Sequence, residues 1–194
     1  MIKLCILDRD GTINELGAEV VYSPDAWLPL PGALDAIARL NHAGWRVVIA
    51  SNQPGLGRGL FEVATLNAIQ ARMHRLLAAA GARVDAIFYC PHAPDEVCRC
   101  RKPEPGLFEQ IGERFGVELG GTPAVGDSLE DLLAGVAAGC EPHLVLTGLG
   151  AAFKGRALPD TFPAGTVVHD DLAAFAEYLI RRSAEPAAAR SERS

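Results

Sequence analysis

The stretch Lys3–Asn14 reads KLCILDRDGTIN. Its apolar run, Lys3–Leu7, does not alternate with polar residues, so it predicts a strand covered on both faces. The run ends on two carboxylates one residue apart, Asp8 and Asp10, followed by Gly11, which permits a sharp turn. Further apolar runs lie at Arg46–Ala50, Ala86–Tyr89, Pro123–Val125, His143–Leu146 and, more weakly, Thr166–Val168. Between them, Gly32–Ala43, Glu62–Ala80, Gly106–Phe115 and Leu129–Ala138 carry apolar residues at helical spacing. Asn41, Gly44, Gly81 and Gly139 punctuate the helix ends as left-handed caps. Strands alternating with helices predict an α/β fold, a doubly wound Rossmann-like parallel sheet. The reading gives one domain over residues 1–182 and a polar, disordered tail over 183–194.

The chain has 194 residues, 49% hydrophobic and 22% charged, enough for one domain with a real core. Eighteen Lys+Arg against 24 Asp+Glu leave a formal charge of −6, which argues against nucleic acid or an anionic membrane as partner. No apolar run approaches the roughly 20 residues of a membrane span, and the N-terminus lacks the small-residue cleavage site of a signal peptide. A cytoplasmic protein is expected, and with no long exposed apolar heptad, a monomer. Five cysteines suit a reducing compartment: Cys5 and Cys140 stand in apolar settings as core thiols.

In a doubly wound sheet, ligands bind beyond the carboxyl ends of the strands. The residues just past those ends are Asp8 and Asp10, Ser51 and Asn52, Cys90 and His92, and Gly126 and Asp127. Carboxylates arriving from separate strands repel unless a cation lies between them. Mg²⁺ takes oxygen ligands in a near-octahedral shell, which Asp8, Asp127, a backbone carbonyl near Asp10, waters and a substrate phosphate oxygen would complete. One Asp can then attack phosphorus, and a carboxyl two residues on can move the leaving-group proton. Ser51 offers a hydroxyl to a phosphoryl oxygen, while Arg101 and Lys102 supply cations.

The motifs LDRDGT, SNQ, the Lys of RKP, and GDSLED occur in order across Leu7–Asp131. In this the chain resembles the haloacid dehalogenase superfamily of phosphotransferases. The resemblance implies Asp8 as nucleophile, Asp10 as general acid/base, Ser51 and Lys102 as phosphoryl ligands, and Asp8, the Asp10 carbonyl and Asp127 as Mg²⁺ ligands. Asp131 is expected as a supporting carboxylate or a helix-surface charge. A non-catalytic binding protein on the same fold is the contrasting reading, set against the intact Asp8, Asp10, Ser51, Lys102 and Asp127.

Cys90, His92, Cys98 and Cys100 form a C-x-H-x₅-C-x-C pattern, matching a closed tetrahedral zinc site of three thiolates and one imidazole. Such a site would pin a loop poor in apolar residues and aim Arg101 and Lys102. The remaining histidines, His42, His74, His143 and His169, read as surface or structural, and Arg72 and Arg75 as the solvated face of their helix. Within the superfamily the zinc loop and the missing large cap resemble the D-glycero-D-manno-heptose 1,7-bisphosphate 7-phosphatases, and also the histidinol-phosphate phosphatases. SNQPGLGRGLF and Ser23–Asn41 resemble the heptose group, whereas the five-residue gap in the zinc loop is like the histidinol group. Ser128 stands where some heptose enzymes carry Lys. The heptose resemblance implies removal of a sugar 7-phosphate on the route to ADP-heptose and lipopolysaccharide core. Asn52, Gln53, Arg58 and Arg101 would then bind the sugar and the retained phosphate.

Overall fold

The computed structural model describes residues 2–17 and 20–184. Its six strands are β1 (Leu4–Leu7), β2 (Arg46–Asn52), β3 (Ala86–Cys90), β4 (Pro123–Gly126), β5 (Glu141–Val145) and β6 (Val167–His169). They form one sheet in the order β3-β2-β1-β4-β5-β6, with every pairing parallel. The helices are α1 (Ala33–His42), the short α2 (Pro54–Gly57), α3 (Val63–Ala79), α4 (Gly106–Phe115), α5 (Leu129–Ala137) and α6 (Leu172–Ala184). Alternate residues of the central strands feed two cores. Cys5, Leu7, Val47, Ile49 and Val125 pack under α1, α3 and α6, whereas Leu4, Ile6, Val48, Ala50 and Ala124 pack under α4 and α5. Strands buried on both faces explain the unbroken apolar runs in the sequence.

The winding reverses at β1, which lies between β2 and β4. Leu7 pairs with Ile49 on one side and Val125 on the other, so these three strands end nearly level. The crevice beyond that reversal is where an open α/β sheet binds its ligand. No large cap closes it among the described residues, since β1 and β2 are joined by a loop, a 3₁₀ turn at Pro24–Ala26 and α1.

Some expectations need correction. The helix α6 was not legible as a separate element, and it carries Ser183 and Ala184, two residues placed in the tail; residues 185–194 lie outside the described ones. Gly44, Gly81 and Gly139 follow helices with φ of 84°, 70° and 92°, but Asn41 is not left-handed. It sits within α1, where its side chain accepts from the Arg83 N–H and donates to the Trp45 carbonyl. Arg72 is not wholly on a solvated face: it is half-buried and reaches the Trp27 carbonyl and Asp25. His143 and His169 form a buried pair with ring nitrogens 3.0 Å apart. Cys5 and Cys140 are buried as expected.

Candidate active site

Asp8 leaves β1 held by its N–H on the Val125 carbonyl at 2.8 Å. The chain then turns at Gly11, with φ of 87°, and the N–H groups of Thr12, Ile13 and Asn14 fold back on the Arg9 carbonyl. Asp127 leaves β4, and Lys102 arrives from the loop before α4. Oxygens of Asp8, Asp127 and Asp131 lie within 4.8 Å of one another. The Lys102 ammonium stands between two of them, 2.6 Å from Asp8 Oδ1 and 2.6 Å from Asp131 Oδ1. It also donates to the Ala50 carbonyl.

Asp131 is 6% exposed, which removes the helix-surface reading. Its Oδ2 accepts from the Ser128 N–H and hydroxyl in the capping box that opens α5. Both its oxygens are thus occupied, and it acts as an anchor for Lys102. Asp127 Oδ2 accepts from the Leu149 N–H at 2.7 Å. Gly11 and Gly148 press against that carboxylate so closely that a Cβ on either would overlap it. Thr147, beside Gly148, donates its hydroxyl to the Gly11 carbonyl at 2.6 Å.

The site is electrostatically unfinished. Burial pushes the Asp8 carboxyl upward; Lys102 opposes this, and Asp131, Asp127 and Asp10 reinforce it. Burial also disfavours charge on Lys102, but Asp131 and Asp8 outweigh it and raise its proton affinity. Asp127 is raised to about 7, by burial first and Asp131 next, with the Leu149 N–H pulling the other way. Four carboxylates, those of Asp8, Asp10, Asp127 and Asp131, face two buried cations, Arg9 and Lys102. One divalent cation would balance the set. Octahedral Mg²⁺ sets neighbouring ligands about 2.9 Å apart and opposite ones about 4.1 Å apart, so acids gathered within 4.8 Å would need to draw in only slightly around the ion.

The neighbouring amides have work that sequence reasoning did not assign. Asn52 accepts from the Lys102 N–H at 3.0 Å and donates to the Lys102 carbonyl at 3.1 Å, so its side chain clamps that residue at the wall of the cavity. Gln53, 3% exposed, donates to Asp10 Oδ2 and Ser51 Oγ and accepts from Arg9. The cavity over these groups, about 230 Å³, is lined by Asp8, Asp10, Asn52, Arg101, Lys102 and Asp127 among others. Arg101 Nη1 is buried there with no hydrogen-bond partner. Arg58 is exposed at the end of α2 and is not among the residues lining the cavity. Arg9 was not anticipated as a site residue, yet it is 1% exposed and paired with Asp10.

Beyond β3, Cys90, His92, Cys98 and Cys100 also gather within 4.8 Å. Tetrahedral zinc with Zn–S and Zn–N bonds of usual length places ligand sulfurs about 3.8 Å apart and sulfur and nitrogen about 3.5 Å apart. Here Cys90 Sγ lies 3.7 Å from Cys98 Sγ, and His92 Nδ1 lies 3.4 and 3.3 Å from Cys90 and Cys100. Burial pushes the Cys90 thiol up to about 12, so without a cation that sulfur stays protonated. The Arg101 N–H points to Cys98 Sγ, which ties the quartet to the arm carrying Lys102.

A protein from Bordetella bronchiseptica named D-glycero-beta-D-manno-heptose-1,7-bisphosphate 7-phosphatase is 55% identical over 94% of this chain and 100% of its own length. This chain belongs to the heptose-bisphosphate phosphatase family. A heptose-bisphosphate phosphatase from Pseudomonas aeruginosa is 48% identical over 92% of this chain and 98% of its own. The haloacid dehalogenase (HAD) hydrolase-like family model matches residues 99–175. The crystal structure of the B. bronchiseptica D,D-heptose 1,7-bisphosphate phosphatase, complexed with magnesium and phosphate, superposes with a TM-score of 0.88 at 56% identity, covering 93% of this chain and 99% of that one. Heptose-bisphosphate phosphatases therefore share this chain's open sheet and its HAD-like fold.

Proposed function

We propose that this protein is a Mg²⁺-dependent phosphatase that removes the 7-phosphate of D-glycero-β-D-manno-heptose 1,7-bisphosphate and leaves heptose 1-phosphate. The observation that carries the reading is the buried acid cluster bridged by Lys102, in a chain 55% identical to a phosphatase so named. Asp8, Asp127 and the Asp10 carbonyl would hold Mg²⁺. When bound, the ion screens the anionic nucleophile from the anionic substrate and offsets charge on the transferring group.

An Asp8 oxygen attacks phosphorus in line while the bond from phosphorus to the sugar oxygen breaks. Asp10 delivers a proton to that oxygen, and heptose 1-phosphate departs. Water then attacks the phosphorus of the aspartyl-phosphate and loses its proton to Asp10. The bond to Asp8 breaks and inorganic phosphate leaves. Ser51 Oγ accepts from Gln53 and so can turn its own proton towards a phosphoryl oxygen; Lys102 neutralises charge beside Asp8. Arg101, with its buried unpartnered nitrogen, reads the sugar or the retained phosphate.

Cys90, His92, Cys98 and Cys100 would hold zinc in a structural role, fixing the arm that carries Arg101 and Lys102. All five cysteines are free, in keeping with a reducing cytoplasm. The enzyme acts there as a monomer, on the route to ADP-heptose and lipopolysaccharide core. The test is kcat/KM on the heptose bisphosphate against histidinol phosphate. A preference of more than about tenfold for the bisphosphate is expected. A reversed ratio would hand the substrate to the histidinol reading, and no turnover on any phosphate ester would leave a binding protein.

A further inference from the structure

Arg9 occupies the position between the two carboxylates of the loop, and its side chain is only 2% exposed. A buried guanidinium is costly unless its donors are well paired. Its charged partner is its neighbour: Nε donates to Asp10 Oδ1 at 3.0 Å and Nη2 to Asp10 Oδ2 at 2.8 Å. This planar fork fixes the carboxylate in both direction and twist, which a single donor cannot do. Asn14 Nδ2 takes a second position on Oδ1 at 2.8 Å, and Gln53 Nε2 a second on Oδ2 at 2.9 Å. A carboxylate offers about four lone-pair sites, and all four are in use. Arg9 Nη2 also donates to Gln53 Oε1, so the fork and the amide brace each other. The same amide donates to Ser51 Oγ, linking the brace to the hydroxyl beside the phosphoryl position.

We propose that Arg9 is a positioning residue for the proton-transfer step: its fork holds Asp10 aimed at the leaving oxygen, with Gln53 as the releasable donor. This rests on the phosphatase reading above. Asp10 becomes the acid by taking a proton on Oδ2 in place of the Gln53 hydrogen bond and passing it to the leaving oxygen; Gln53 is the uncharged donor on Oδ2, and Ser51 and Arg9 still hold its amide when it lets go. Arg9 keeps both of its bonds, so the carboxylate swings little. The demand on Arg9 scales with the leaving group. An alkoxide from a sugar needs a proton as it departs; p-nitrophenolate does not.

The experiment uses the full chain loaded with Mg²⁺ and zinc and measures kcat/KM over a series of aryl and alkyl monophosphates, for wild type, Arg9→Met, Arg9→Lys and Asp10→Asn. General acid catalysis contributes about 10²–10⁴-fold. Arg9→Met should therefore lose about 100-fold on alkyl phosphates yet stay within about threefold on p-nitrophenyl phosphate, the selective pattern of Asp10→Asn in weaker form. Arg9→Lys, which keeps the charge but cannot span both oxygens, should fall between. An equal loss across the series would make Arg9 a purely structural residue and overturn the proposal, as would no loss at all. Should Arg9→Met fail to fold, the Arg9→Lys slope decides, and an unchanged slope refutes the fork. The series contains no heptose, so its outcome is separate from the substrate assignment, which is read on the bisphosphate alone.

Discussion

Magnesium should stabilise this protein more at neutral than at acid pH, by an amount to which the raised Asp8 adds and which is at least that set by Asp127. That carboxyl, ordinarily near 3.8, is raised to about 7 in the metal-free fold. Between about pH 4 and 7 the folded chain therefore keeps a proton that the unfolded chain has released. The stability so gained is present below pH 4 and lost as pH rises through 7. Mg²⁺ needs the ionised carboxylate, so below pH 7 it must displace that proton, and its apparent affinity falls about tenfold per pH unit. From pH 7, where that proton is already half lost, to pH 5 the affinity falls about 50-fold, which is about 2.3 kcal/mol of magnesium-linked stability from Asp127. For a chain of this size that is about 5–10 °C in Tm. The assay is thermal unfolding at one Mg²⁺ concentration that is saturating at both pH values, with zinc retained, reported as the difference between magnesium-loaded and magnesium-free curves at each pH. The difference matters because His169, pushed down to about 4 by burial and His143, adds stability as pH rises from 4 to 6.5. It does not line the site and cancels in the subtraction. A magnesium-induced Tm shift that stays constant from pH 5 to 7 would refute the reasoning.

Three further outcomes are expected. Asn52→Ala removes both hydrogen bonds on the Lys102 backbone; it should cost about 1–3 kcal/mol in urea unfolding and about 100-fold in kcat/KM through a misplaced ammonium. Gly148→Ala forces a Cβ into Asp127 at a φ of 51°, so the Mg²⁺ concentration for half-maximal activity should rise by about tenfold or more, with little change in zinc content. Cys98→Ser should bring bound zinc, measured by elemental analysis, below one ion per chain, lower the Tm, and reduce turnover even in excess Mg²⁺; full activity without zinc would contradict the mechanical role of that loop.

The sheet was legible because strands buried on both faces leave unbroken apolar runs, and Leu4–Leu7, Val47–Ala50 and Pro123–Gly126 are such runs. The convergence of Asp8 and Asp127 followed from the rule for strand ends in wound sheets. Side-chain partners across long separations were less accessible. Asn52 and Lys102 lie 50 residues apart, and nothing local tells an amide that clamps a backbone from one that faces a substrate. Arg9 escaped notice because arginine is mostly found at surfaces, and its burial depends on the turn that folds over it. Asp131 was half-read: Ser128-x-x-Asp131 has capping-box spacing, but the ion pair to Lys102 exists only once α5 and the zinc arm meet. The α6 pattern, with Leu172, Phe175, Ala176 and Leu179 buried at helical spacing, lies within residues 1–182 but was not read as a helix, and its last two residues, Ser183 and Ala184, were given to the polar tail.

The central claim is that Asp8 carries the phosphoryl group. Acid-quenching the turning-over enzyme within milliseconds and reducing it with borohydride converts an aspartyl-phosphate to homoserine, which peptide mass spectrometry locates. The account predicts homoserine at position 8, dependent on Mg²⁺ and absent from Asp8→Asn. Turnover that proceeds with position 8 unmodified at every quench time, or with the mark on another residue, would contradict it.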